Sequence, residues 1–177
     1  MRDGYGSGRR RGGPIAATAV IAVAAVWWLA WSSAGAAPPR ESRAAALATA
    51  QQQVRAVAAD ARIGISGRYN PGASYERCDR RGVRAPADGP YTLTYTAYAD
   101  LPDRFHIAAL RRLRAALERR DGVEVTAYEE RPQVQEAQLD AVDRPHRAHL
   151  AVASAKPPHT VRLAVATECF RPPEDGR

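Results

Sequence analysis

The sequence predicts an α+β protein: an N-terminal transmembrane helix, then a small two-layer domain of mostly antiparallel sheet with helices on one face. Three observations carry this. One long run near the N-terminus is apolar and uncharged, two later segments repeat apolar residues at helical spacing, and four segments of the C-terminal half alternate with a period of two.

Residues 1–13 are Gly-rich and polar, and end in the basic run Arg9-Arg10-Arg11, as a cytoplasmic tail would. From Ile15 to Trp31 the chain reads IAATAVIAVAAVWWLAW, uncharged, with Thr18 its one polar side chain. At ~1.5 Å per residue the run falls just short of the hydrocarbon core, and the small residues up to Ala37 complete a spanning length. A helix on a soluble surface would carry a polar stripe, and this one carries none. The predicted span is therefore 14–37. Four arginines precede it, whereas on its other flank only Arg40 and Arg43 follow closely, partly offset by Glu41, which places the N-terminus inside and the rest of the chain outside. Trp27, Trp28 and Trp31, all the tryptophans of the chain, gather at the outer end, where indole rings suit the membrane–water interface. A rival reading treats the segment as a cleavable signal peptide. Ala34-Gly35-Ala36 offers the small residues such cleavage needs, and the product would be released after a cut near Ala36. The apolar run is longer than the core of a usual signal peptide, which favours retention.

Pro38-Pro39 stops that segment. A juxtamembrane helix is expected within 38–63, where Leu47, Ala50, Val54, Val57 and Ala61 form one apolar stripe. It would lie against the domain or form a stalk; its alanines make a poor dimerisation seam. Residues 64–90, dense in Gly, Pro, Asn and Asp, are read as a long loop. The α+β domain is placed at 91–170 and a tail at 171–177. Within the domain, Tyr91–Ala99 alternates as a strand. Asp103 is a candidate cap for a helix over Arg104–Arg120, with Ile107, Leu110, Leu113 and Leu117 buried and Asp121-Gly122 as the stop. Val123–Glu129 reads as a strand with Val123, Val125 and Ala127 on one face. Residues 131–145 fit neither period. Ala148–Ser154 and Thr160–Phe170 read as the last two strands, the second with Val161, Leu163, Val165, Thr167 and Cys169 on its core face.

The net charge of +7 is divided between the two parts. Arg2, Arg9, Arg10 and Arg11 against Asp3 give the N-terminal segment +3, leaving a mild excess over the long remainder. That balance argues against a nucleic-acid binder. Cys78 and Cys169, the two cysteines, are the minimum set for one disulfide in an exported chain, closing a loop of about 90 residues and stabilising a small Ala-rich core.

With its basic start, its Ala-rich apolar segment, a helix, a strand-rich domain and the terminal ECFRPP, the chain resembles small exported or membrane-anchored proteins of high-GC actinobacteria, most of them uncharacterised. The resemblance implies an envelope location and no chemistry.

Candidate sites are few. Asp140, Asp143, His146 and His149 stand three apart and could gather a divalent metal for a small hydrolase. Pro145 interrupts any helix through them, so a polar loop entering a strand is the plainer reading. Glu129-Glu130 is an adjacent carboxylate pair whose side chains diverge on a strand. His106 sits beside the helix's buried stripe and reads as a boundary residue. Arg111, Arg112 and Arg119 make a basic helix face that could meet lipid headgroups or an anionic cell-wall polymer. No serine-elbow, zinc-protease or nucleotide-loop pattern is present, and no cofactor is expected. The function these readings support is a single-pass, membrane-anchored extracytoplasmic protein, a non-enzymatic module binding an envelope protein or polymer; the alternative is the metal-dependent hydrolase.

Overall fold

The structure is a computed structural model that describes residues 37–155 and 159–174. The basic tail, the tryptophan cluster and all but the last residue of the predicted span 14–37 lie outside the described residues, as do Lys156, Pro157 and Pro158 of the predicted turn. Among the described residues, no helix is long and apolar enough to cross a membrane.

Helix α1 (Arg43–Ala61) begins where the Ser42 hydroxyl accepts the Ala45 N–H at 3.1 Å, and ends at Arg62, which turns left-handed with φ of 57°. Its buried stripe takes in Ala46, Ala50, Gln53, Val54, Val57, Ala58 and Ala61, broader than predicted and with a glutamine inside it. The helix lies against the sheet.

The region read as a loop contains a hairpin, β1 (Gly72–Arg77) and β2 (Arg80–Arg84). Apolar alternation does not reveal it, because β2 is exposed along its whole length and β1 over most of its own. Backbone pairing holds it: β1 runs antiparallel along β3 (Tyr91–Asp100), from Gly72 opposite Thr96 to Arg77 opposite Tyr91. The disulfide adds a covalent tie. Cys78 at the hairpin tip is bonded to Cys169 just beyond the last strand, with Cα atoms 5.6 Å apart. Cys169 therefore lies past the strand end and not on the core face assigned to it from alternation.

After β3, a short 3₁₀ turn (Asp103–Phe105) leads into α2 (His106–Leu117). Asp103 does not cap α2, since no side-chain cap bond is made at its start. Its carboxylate meets the His159 ring nitrogen Nδ1 instead, at 3.0 Å. His106 is wholly buried, with Nε2 donating to the Leu101 carbonyl at 2.8 Å, so it belongs to the core and not to the boundary. The predicted leucine stripe of α2 is buried as expected.

Four strands follow: β4 (Val123–Arg131), β5 (Glu136–Asp143), β6 (Ala148–Ala155) and β7 (Thr160–Thr167). The ambiguous stretch 131–145 thus resolves into a 3₁₀ turn (Pro132–Val134) and β5. A bulge between Val125 and Ala127 reverses the alternation of β4. Val123 and Val125 point to the helices, but beyond the bulge Tyr128 and Glu130 take that side, opposite Leu139 and Ala137, and Ala127 does not.

The seven strands form one antiparallel sheet in the order β2-β1-β3-β7-β6-β5-β4. Leu93, Ala97, Leu163, Val165, Leu150, Val152 and Leu139 fill its inner face against α1 and α2. Thr94, Thr96, Ala164, Ala166, Ala151 and Ala153 occupy the opposite face, which no helix among the described residues covers. This is the two-layer α+β arrangement, with both helices on one side.

Candidate functional site

The β5–β6 turn (residues 144–147) positions the chemistry nearest to a site. Gly122, with φ of 74°, packs so close to Pro145 that a Cβ there would stand 2.7 Å from the proline Cδ. The Gly122 carbonyl accepts the Arg144 N–H at 3.0 Å, and Arg147 turns left-handed at φ 52° to enter β6. Within this turn the Asp143 carboxylate accepts the His146 backbone N–H at 3.1 Å, while the His146 Nδ1 lies 2.9 Å from both Asp143 oxygens. The Asp143 side chain is 4% exposed and His146 53%, so a buried carboxylate orients a half-exposed imidazole. An Nδ1–H donor to the carboxylate leaves Nε2 as an acceptor facing outward.

Asp140 and His149 belong elsewhere. Asp143 faces the helices, whereas Asp140, paired with Ala151, and His149, paired with Val142, lie on the sheet face opposite α1 and α2. There, burial lowers the His149 pKa, opposed by Glu168 and Asp140 and reinforced by Arg81. The predicted quartet is thus split across the sheet because its members alternate sides along β5 and β6. Among the described residues, no three His, Cys, Asp or Glu side chains come together as a metal-binding group.

Beside the Asp143–His146 pair, a cleft of about 300 Å³ opens between α1 and the end of the β5–β6 hairpin. Thr49, Gln52, Gln53 and Ala56 supply its α1 wall, since residues three, four and seven apart share one helix flank. Asp143, His146, Leu150 and Arg120 supply the other wall. A second depression of about 210 Å³ continues past Thr49, Gln53 and His146 towards Pro39 and Phe170. Gln53 is 7% exposed, and both polar atoms of its carboxamide are buried without a hydrogen-bond partner. Buried amides are seldom left so, because an unmet donor or acceptor costs about 1–3 kcal/mol. The sequence carried a signal for it: Ala46, Ala50, Gln53 and Val57 follow the helical period, which puts a glutamine on the core-facing seam.

The predicted basic face is largely committed within the protein. Arg111 donates from Nε and Nη2 to the Glu130 carboxylate, at 2.7 and 2.6 Å. The Tyr128 hydroxyl adds a third bond to it. These contacts, Arg111 foremost, lower the Glu130 pKa to about 2, and the Arg111 pKa is raised in turn. Arg112 reaches across to α1 and donates to the carbonyl of Ala61, at 3.2 and 3.1 Å, meeting one of the unsatisfied carbonyls at that helix end. Arg120 pairs with Asp60 of α1. Arg119 is exposed. Two of the three arginines therefore brace α2 against its neighbours. Glu129 and Glu130 diverge as expected, with Glu129 on the outer side of β4.

No family model, no curated protein and no solved structure matches this chain.

Proposed function

We propose that this protein is a single-pass, membrane-anchored extracytoplasmic module that binds a partner without catalysing a reaction. In this reading Arg9, Arg10 and Arg11 stay in the cytoplasm, residues 14–37 span the membrane, and Trp27, Trp28 and Trp31 sit at its outer interface. The observation that carries the placement is the Cys78–Cys169 disulfide, which uses both cysteines of the chain. Such bonds persist outside the reducing cytoplasm. The apolar run 15–31 and the arginines before it support the same orientation. The partner is an envelope protein or an anionic wall polymer, with Arg119 and the exposed faces of Arg111 and Arg112 the basic surface available to it. A nucleic-acid partner has no support in the charge distribution.

A hydrolase is the second reading. The Asp143–His146 pair favours it, since a carboxylate-oriented imidazole is a standard general base. A metal centre built on Asp140, Asp143, His146 and His149 is disfavoured by their division between the two faces of the sheet.

Protease treatment of intact protoplasts tests the placement. Digestion of the 38–177 domain without lysis, with a protected N-terminal fragment left in the membrane pellet, supports anchoring. A domain that resists protease until lysis overturns the reading. A soluble product starting near residue 37 supports export followed by release.

A further inference from the structure

We infer that the cleft between α1 and the β5–β6 hairpin is a seat for a neutral peptide group, recognised by the Gln53 carboxamide and the His146 Nε2. Gln53 offers two N–H donors and a carbonyl acceptor on one planar group, the complement of an amide, which presents one acceptor and one donor side by side. Gln53 lines the cleft, and both of its polar atoms are buried and unpartnered. A ligand amide that met them would replace an unmet pair with a satisfied one, so the gain on binding is larger than at a surface glutamine already bonded to water. Because those atoms are buried, binding requires the carboxamide to turn into the cleft, a rotation within a side chain of three rotatable bonds.

His146 stands across the same cleft. With Nδ1 donating to Asp143, its Nε2 accepts a second N–H from an extended ligand. Charge selects against ions. Arg120 is held by Asp60, and the Asp143 carboxylate is covered by His146, so neither an anion nor a cation meets an uncommitted opposite charge here. Ala56, Val57 and Leu150 add an apolar lining suited to small aliphatic side chains. A volume of about 300 Å³ accommodates a di- or tripeptide segment and not a folded surface.

This assignment rests on the binding-module reading and adds to it a second contact site, separate from the Arg111–Arg112–Arg119 surface, but it can fail alone. The test uses the full oxidised chain in detergent, ¹⁵N-labelled and titrated with N-acetyl-alanyl-alanine methylamide in one arm and acetamide in the other. Saturable shifts of the Gln53 side-chain NH₂ and the His146 ring signals are expected in the peptide arm. Gln53→Leu, which keeps the shape and removes the orphaned amide, is expected to weaken binding at least tenfold while leaving the backbone spectrum intact. His146→Gln is expected to weaken it less. Saturation by acetamide at similar affinity would assign the seat to small free amides, and saturation by the peptide alone to chain segments; either supports the site. Absence of saturable shifts in both arms, or equal affinity in Gln53→Leu, overturns it. Protease accessibility on protoplasts would remain as expected in that event, so the two failures are distinguishable.

Discussion

Asp143 holds His146 by backbone and side chain together: its carboxylate accepts the His146 main-chain N–H at 3.1 Å and lies 2.9 Å from the ring Nδ1 through both oxygens. A turn closed by its own histidine is rigid without help from a ligand, and it fixes which ring nitrogen faces the cleft. The tautomer is therefore a direct readout. Long-range ¹H–¹⁵N spectra of the neutral imidazole are expected to show the proton on Nδ1 and a bare Nε2 for His146. In Asp143→Ala the ring should shift towards the Nε2–H form that free imidazole prefers. An Nε2–H tautomer in the wild type would remove the geometry proposed for the cleft.

Gly122 locks the same turn from outside. A methyl group there would stand 2.7 and 2.8 Å from the Cδ and Cγ of Pro145, on a backbone whose φ of 74° already suits glycine. Gly122→Ala is expected to destabilise the domain by about 1–3 kcal/mol in urea unfolding. The largest chemical-shift changes should fall on residues 143–147. A neutral substitution would mean that the turn gives way freely.

The phenols of Tyr91 and Tyr128 are the ones set to resist ionisation. Both pKa values are raised to about 12: burial is the main cause for each, helped by the Glu41 charge at Tyr91 and the Glu130 hydrogen bond at Tyr128. An acid whose folded pKa lies above its unfolded value of 10 favours folding below that pH, and the benefit is lost as pH rises towards 12. Spectrophotometric titration is expected to show Tyr91 and Tyr128 ionising late, together with alkaline unfolding in the 10–12 window. Ionisation of both phenols near 10 on a folded chain would contradict it.

Glu130 sets the acid limit. Its folded pKa of about 2 lies below the ordinary 4.5, so the contribution of the Arg111–Glu130 contact is present above the ordinary value and lost as pH falls towards 2. Stability measured from pH 5 to pH 2 is expected to fall less steeply in Glu130→Gln than in the wild type. Identical slopes would show that the contact does not couple to folding.

How much of this was readable beforehand depended on what held each element. Where burial did, the chain announced it: Leu110, Leu113 and Leu117 on α2, and Val161, Leu163 and Val165 on β7, lie where their periods placed them. The β1–β2 hairpin was illegible because its strands bury almost no side chain and depend on backbone pairing with β3 and on Cys78. The bulge at Val125–Ala127 was hidden for a related reason, since one inserted residue changes which side Tyr128 faces without changing composition. Spacing brought Asp140, Asp143, His146 and His149 together on paper, and the alternation of paired strands separated them. Arg112 showed as a basic surface residue in one dimension and proved to brace the end of α1 in three.

The most direct test of the account is the state of Cys78 and Cys169 in the living cell. Free thiols are blocked in intact cells before lysis, and the peptides are then mapped by mass spectrometry without reductant. One cross-linked peptide joining Cys78 to Cys169, unreacted with the blocking reagent, is expected in the membrane fraction. Two alkylated cysteines would contradict both the pairing and the placement of the domain outside the cytoplasm.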